Sequence, residues 1–411
     1  RTTLPIQADP STVIATPPIA AGLDASTSPV RRHAVVGHLS SVSVVSAAPA
    51  AAFDLLGGAL NFDNAPLPAN VRRVYPANAA SPLDFIGAGD VSGDRTTDYL
   101  RAAENATAVI SGRSPAFLAG TLASPLAPQP GSIVFVSPDV LPTLTSVGDV
   151  DGDGRDDLAA AVDNLVGEAS IFVLSGRRVF EDADGVVRRA ELTADDLVEI
   201  RFPWPWAFPS PSFDSGDVTG DGLGDIVFNG FGPEGATTAY IVSGAAIRDE
   251  ADGLITVAEL PLRAIALRNA GAPQSSPTVA IIPSIDGDAV ADLLVQHATA
   301  SNGVLDVVPG RFLQGRQNFD IGAAQLPAGV ARILSLTAAE ANNQTGALGF
   351  SASAVTRDLD NDRADDLLLG ASSEDGGANA LNARGAVYVI PSSRLRAAAG
   401  SGAPIRLSDE F

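Results

Sequence analysis

The chain writes one acidic loop five times, and each copy runs directly into an apolar stretch. The copies are Asp90-Val-Ser-Gly-Asp-Arg-Thr-Thr-Asp98, Asp149-Val-Asp-Gly-Asp-Gly-Arg-Asp-Asp157, Asp217-Val-Thr-Gly-Asp-Gly-Leu-Gly-Asp225, Ser284-Ile-Asp-Gly-Asp-Ala-Val-Ala-Asp292 and Asp358-Leu-Asp-Asn-Asp-Arg-Ala-Asp-Asp366. Side-chain oxygens recur at positions 1, 3, 5 and 9. They belong to Asp90, Ser92, Asp94 and Asp98; to Asp149, Asp151, Asp153 and Asp157; to Asp217, Thr219, Asp221 and Asp225; to Ser284, Asp286, Asp288 and Asp292; and to Asp358, Asp360, Asp362 and Asp366. Ca2+ takes six to eight oxygens at about 2.3–2.6 Å, so a single short loop that binds it must turn tightly and aim alternate side chains inward. Position 7 would contribute a backbone carbonyl and is indifferent to side-chain type, which fits Thr96, Arg155, Leu223, Val290 and Ala364 there. Gly at position 4 in four copies supplies backbone angles that a side chain would penalise.

One such loop would read as a plain Asp/Gly turn. Five copies with their oxygens in phase point to a cation, with four to five Ca2+ ions expected. The loops at 149 and 358 carry a carboxylate at all four positions. The 284–292 loop is the weakest of the five, because Ser284 opens it with a neutral hydroxyl. An EF-hand needs an acidic residue at position 12 and helices on both sides. Position 12 here is Arg101, Ala160, Phe228, Val295 or Leu369, and short apolar runs follow the loops. Each loop is therefore expected to join two β-strands.

Successive loops begin 59, 68, 67 and 74 residues apart, close to the length of a four-stranded unit with generous connections. A second element recurs after each: Ala108-Val-Ile-Ser-Gly-Arg, Ile171-Phe-Val-Leu-Ser-Gly-Arg, Tyr240-Ile-Val-Ser-Gly, Val304-Leu-Asp-Val-Val-Pro-Gly-Arg and Val387-Tyr-Val-Ile-Pro. These read as third strands that end at a turn. Two units also share an Asp-Gly echo, 181–192 and 249–260, expected as hairpin turns. Stacked units of this kind bury a common core, so residues 31–411 are expected to form one repeat domain, with marked units beginning near 83, 142, 211, 278 and 348. Residues 33–76 carry four candidate strands, around His33, Val42, Phe53 and Val71, and could form one unmarked unit. Residues 1–30, rich in Pro, Thr, Ala and Ser, read as an extended arm or linker.

These features resemble the FG-GAP repeat family, the β-propeller known from the head of integrin α subunits. The resemblance rests on the acidic loop and its strand, on Phe85-Ile-Gly87 and Gly349-Phe350 ahead of loops, and on Gly370-Ala-Ser372 followed by Gly385-Ala-Val-Tyr-Val-Ile. It covers roughly residues 83–395. It implies an all-β propeller of six to seven four-stranded blades with Ca2+ in hairpin loops on one face. Such a ring leaves only short protected edges. Only 5% of residues are aromatic, so a Val, Leu, Ile and Ala core is expected, and Ile405-Arg-Leu is a candidate strand for closing the ring.

The net charge of −22 argues against nucleic acid as a partner, and there is no apolar run of about 18 residues to cross a membrane. All 26 basic residues are Arg, and the absence of Cys excludes thiolate-based metal sites and disulfides. Extracellular modules bind Ca2+ at about 10⁻⁴–10⁻³ M, where outside concentrations fill them, so a secreted or cell-surface location is expected. The chain opens at Arg1 and is expected to be a processed product or part of a longer protein.

The function expected is a structural, adhesion or protein-interaction module that partners a protein or itself at the cell surface. A lectin or a polysaccharide-degrading enzyme on the same scaffold is the alternative, and a glycan is then the ligand. Its candidate contact is the aromatic run at Trp204, Trp206 and Phe208, which is equally a Pro-rigid covering loop. The three histidines, His33, His38 and His297, form no recognisable catalytic set, no Gly-x-Ser-x-Gly motif is present, and the chain is read as non-catalytic.

Overall fold

A computed structural model describes residues 33–37, 42–46, 71–76, 85–103, 106–114, 121–122, 132–136, 144–164, 168–181, 185–188, 191–203, 214–231, 237–256, 258–269, 278–298, 303–316, 318–321, 327–334, 351–357, 364–371 and 386–407. Within them the chain is mostly β-sheet, arranged as six sheets in chain order, I to VI. Sheet II runs Phe85–Gly89, Asp98–Ala103, Ala106–Ile110 and Ser132–Val136 as an antiparallel meander. Sheets III (from Leu144–Gly148), IV (from Asp214–Gly216) and V (from Thr278–Ile282) repeat it. Sheet VI has three strands, Ser351–Arg357, Asp366–Ala371 and Ala386–Ile390, and sheet I begins with His33–Gly37, Val42–Ser46 and Val71–Pro76. In sheets II to VI the acidic loop joins the first strand to the second, with no helix on either side, as the residues following each loop implied.

Each sheet from I to V gains one further strand from the unit after it. Thr121–Leu122 pairs in parallel with Val71–Pro76, Val186–Arg188 with Ser132–Val136, Leu254–Thr256 with Leu197–Pro203, Asn318–Ile321 with Ala264–Asn269, and Ile405–Arg406 with Ala331–Leu334. The segment between a unit's third and fourth strands thus reaches back to cap the open edge of the preceding sheet. A parallel partner needs a crossover, because a tight hairpin cannot produce one. Three units place a short helix in that crossover: Gly176–Glu181, Gly244–Arg248 and Ser392–Ser401.

This arrangement corrects two expectations. The Asp-Gly echoes are not hairpin turns: Gly185 and Gly253, at φ of 74° and 74°, turn the chain from a short helix into the returning parallel strand. Asp252 holds its turn by accepting the Leu254 N–H at 3.0 Å. Ile405 does not meet an N-terminal strand. It joins sheet V in the same role that Ile255 plays for sheet III, and among the described residues no strand pairing links sheet VI to sheet I. Of the four strands expected in 33–76, three are present, while the Phe53 segment and the 1–30 arm lie outside the described residues.

The sheets pack face to face in series. Ile171, Val173 and Ile200 of sheet III meet Ile226, Phe228 and Val242 of sheet IV. The opposite face of sheet IV, with Val227, Ile241 and Leu267, meets Val279, Leu293 and Val295 of sheet V. Leu100 and Val109 of sheet II pack on Leu158 and Leu174 of sheet III, and Leu305 and Ile333 of sheet V on Leu367 and Tyr388 of sheet VI. A sheet covered on both faces needs an unbroken apolar run rather than alternation. Ile226-Val-Phe228 and Leu293-Leu-Val295 are such runs, and all six side chains are buried. The interior is aliphatic, as the low aromatic content implied, and among the described residues Phe228 and Tyr240 form an aromatic pair at 5.7 Å between centroids.

The returning strands are therefore integral to the core, and Ile255, fully buried between sheets III and IV, reports on them. Ile255→Ala is expected to lower unfolding free energy in urea by about 2–5 kcal/mol. Leu262→Ala, at a side chain 79% exposed only seven residues on, should change it by less than about 0.5 kcal/mol.

Candidate metal centre

The five position-9 carboxylates are the most buried charged groups of the loops: Asp98, Asp157, Asp225, Asp292 and Asp366 are each at most 1% exposed. Each sits at the first residue of a second strand, and the first four are held by backbone N–H groups from two other segments. Asp225 Oδ2 accepts from Val218 and Thr219 at the start of its loop, at 2.8 and 2.7 Å, and Oδ1 accepts from Gly244 just past the third strand at 3.0 Å. Asp157 takes Val150 and Asp151 on one oxygen and Gly176 on the other. Asp98 takes Ser92 and Gly112, Asp292 takes Ile285 and Gly310, and Asp366 takes Ser392. Charge-assisted bonds of this kind are roughly twice as strong as neutral ones.

Position 1 closes the turn. Asp217 accepts N–H groups from Gly220, Asp221 and Gly222, Asp149 from Gly152 and Gly154, and Asp90 from Asp94 and Arg95. Ser284 Oγ accepts only from Gly287, at 3.1 Å, and turns its own hydrogen towards Asp286 and Asp288. Position 5 orders position 7: Asp153, Asp221 and Asp288 accept the N–H of Arg155, Leu223 and Val290. Position 4 has positive φ in all four described loops, at Gly93, Gly152, Gly220 and Gly287, and Arg95 adopts φ of 65° at position 6 of the first. Thr96 accepts from Arg113 Nε at 2.9 Å. In the fifth loop Ala364 is buried, while Asp358, Asp360 and Asp362 lie outside the described residues. Trp204, Trp206 and Phe208 lie outside them as well.

Burial raises these acids. It pushes Asp98, Asp225 and Asp292 up to about 7 despite the backbone donors that oppose it, and Asp157 well above the ordinary carboxylate range. Asp90, Asp149 and Asp217 are raised for the same reason, and Asp153 by burial and then by the Asp151 charge. Ionising several crowded carboxylates in one turn is thus costly unless a cation sits among them.

Two observations test whether these residues fit a divalent ion. Asp149, Asp151 and Asp153 each offer an oxygen within 4.8 Å of the others. Oxygens on opposite sides of one Ca2+ stand about 4.6–5.2 Å apart, so the three can share a centre. In the first loop Asp94 Oδ1 is buried with no hydrogen-bond partner, while Oδ2 accepts from Ser111 Oγ at 3.2 Å. A buried carboxylate oxygen without a hydrogen-bond donor is what a hard cation would satisfy.

Two further features frame the loops. Position 2 is always aliphatic, and Val91, Val150, Val218 and Ile285 are buried between sheets, anchoring each loop to the core. In sheets II to V the Gly two residues past the third strand, at 112, 176, 244 and 310, presses its backbone on the carbonyl of the residue just before position 9: Thr97, Asp156, Gly224 or Ala291. A Cβ there would overlap that oxygen.

The loops also bond to one another. The position-8 N–H donates to the position-1 carbonyl of the preceding loop in Asp156 to Asp90 (3.1 Å), Gly224 to Asp149 (2.7 Å) and Ala291 to Asp217 (2.7 Å). Asp156 Oδ2 also accepts the Asp90 N–H at 2.5 Å. Four candidate centres are therefore neighbours along one end of consecutive sheets.

No family model matches the chain, and no curated protein does. Among solved structures, it is similar to the Dos1 propeller, with 12% identity over 72% of this chain and a TM-score of 0.30. The match spans 59% of that protein's chain. It is also similar to the C-terminal domain of Pseudomonas aeruginosa PilY1, with 10% identity over 89% of this chain and 79% of the other, and a TM-score of 0.36.

The contact of Gly310 with the 284–292 loop sets a direct check. Gly310→Ala forces a Cβ onto the Ala291 carbonyl and should cost about 1–3 kcal/mol in chemical denaturation. Gly400→Ala, in the Ser392–Ser401 helix with open space around it, should be neutral or stabilising by up to about 1 kcal/mol.

Proposed function

We propose that this chain is an extracellular Ca2+-binding β-propeller that acts as a structural, adhesion or protein-interaction module without catalytic activity. The observation that carries this proposal is the convergence of Asp149, Asp151 and Asp153 on one centre, within a loop that bonds to the equivalent loops before and after it. Serial face-to-face packing of like sheets, those from I to V capped by a strand of the next unit, supports the propeller reading. The ring, the FG-GAP kinship and the surface location belong to the proposal.

In this role Asp149, Asp151, Asp153 and Asp157, and their counterparts in the first and third loops, would hold the ion, which supplies positive charge at the join of two strands. The protein's own groups shape the turn: the position-1 and position-9 oxygens fix its backbone through N–H bonds, and the apolar position-2 side chain fixes it to the core. An ion that binds only the folded form stabilises that form by mass action, by about 2.7 kcal/mol per site at a hundredfold excess over its dissociation constant.

Thermal unfolding with Ca2+ and with excess EGTA, together with elemental analysis of the purified protein, checks this. Calcium is expected to copurify and chelation to lower the melting temperature. A metal-free preparation whose melting temperature does not respond to either addition would end the calcium role.

A further inference from the structure

The fourth loop differs from the others in what stands among its carboxylates. Arg311 directly follows Gly310, whose N–H is held by Asp292, so its side chain starts beside positions 3 and 5 of the same loop. Arg311 Nη1 bonds Asp286 Oδ2 and lies 3.6 Å from Asp288 Oδ2. The Asp286 side chain is only 8% exposed beneath it. On the other side, Ser284 Oγ stands 3.0 Å from Asp286 Oδ1 and 3.2 Å from Asp288 Oδ1. The guanidinium carbon also lies 5.6 Å from the Phe312 ring centroid, which helps to fix it.

The equivalent residue does something else in each of the other three loops whose positions 1 to 9 are described. Ala245 of the third unit has no charge, and its N–H points to Asp221 Oδ2 at 3.3 Å. Arg177 of the second offers its carbonyl to Arg155 Nη1 at 3.4 Å. Arg113 of the first is 63% exposed, and its Nε is 3.8 Å from Asp94 Oδ2 while bonding Thr96. Arg311 alone of these enters its loop between the position-3 and position-5 carboxylates. The same loop is the one that lacks a carboxylate at position 1.

We propose that the 284–292 loop is closed by an internal cation, the Arg311 guanidinium, and takes no divalent ion. The donor set does not fit Ca2+ there. A neutral Ser stands at position 1, and the two carboxylates of positions 3 and 5 are already engaged by a fixed positive charge that an incoming ion would have to expel. A guanidinium presents up to five N–H donors and is never deprotonated in a protein, so the clamp holds at any calcium level. The loop thereby becomes the calcium-independent joint in a row whose other members respond to the ion. The contrast with those members rests on the calcium role proposed above.

The test compares the full chain with three variants: Arg311→Ala, Asp286→Asn/Asp288→Asn, and Ser284→Asp/Arg311→Ala. Calcium stoichiometry is measured by calorimetric titration, and amide hydrogen exchange across 284–292 is followed in excess EGTA. Expected results are the same stoichiometry for Asp286→Asn/Asp288→Asn as for the parent, and one additional ion for Ser284→Asp/Arg311→Ala. In EGTA, Arg311→Ala should exchange at Ile285 and Val290 about tenfold faster or more, as expected for loss of a hydrogen bond to a charged group. Loss of one ion in Asp286→Asn/Asp288→Asn, no gain in Ser284→Asp/Arg311→Ala, or unchanged exchange in Arg311→Ala would each overturn the proposal. If the parent binds no calcium in any loop, the calcium role fails separately, and the exchange measurement alone decides whether Arg311 closes the loop.

Discussion

A single buried carboxylate at the head of the second strand in each of sheets II to VI holds this architecture together. Asp98, Asp157, Asp225, Asp292 and Asp366 are removed from water, which by itself penalises their charge. The backbone donors around each of them offset part of that penalty and, in doing so, join segments that are far apart in sequence. Asp225 ties the start of its loop at Val218 to Gly244, beyond the third strand, and Asp157 does the same from Val150 to Gly176. The third strand must therefore end at that point, and the residue that ends it must come close enough to donate. In four units the close approach leaves no room for a Cβ, which accounts for the Gly. The fifth unit uses Ser392, fully buried, with the same bond to Asp366.

From that point the chain has to travel back to the preceding sheet, and the short helices at 176, 244 and 392 begin there. The strand that follows caps the neighbour's edge, which removes a row of unpaired backbone groups that would otherwise invite aggregation. From sheet II to sheet V, each unit is thus tied to the next three times: by the returning strand, by the shared apolar face, and by the bond from loop position 8 to the previous position 1. Asp149 takes part in both kinds of bond, shaping its own turn through its carboxylate and receiving the Gly224 N–H of the following loop on its carbonyl.

The loops are alike in backbone and unlike in electrostatics. The second gathers three carboxylate oxygens in one place, the first leaves Asp94 Oδ1 buried and unpartnered, and the fourth receives a guanidinium. Repeated geometry with varied charge is what a scaffold shows when its turns are fixed by backbone bonds at positions 1, 5 and 9, while the residue at position 3 and the groups that face the loop differ. The surplus of acid in the chain, with a net charge of −22, is concentrated where such a scaffold most needs a counter-charge.

The loops, the strands on either side of them and the third strands were all legible in the sequence, because a turn built from local Asp-to-N–H bonds needs particular residues at fixed spacing. The aliphatic core was legible as well, since sheets covered on both faces require runs such as Ile226-Val-Phe228. What could not be read locally was the destination of each crossover. Val186–Arg188, Leu254–Thr256 and Ile405–Arg406 are short, and nothing in two or three residues specifies whether their partner is a hairpin neighbour or the edge of the preceding unit. The Arg311 placement was hidden for a related reason, because it depends on where Gly310 is docked by Asp292 and not on any spacing within the loop. Sequence alone determined the turns, since their energetics are short-range. Tertiary structure decided which edges are joined and which loop carries its own cation, since those outcomes depend on contacts between segments that only the packed sheets bring together.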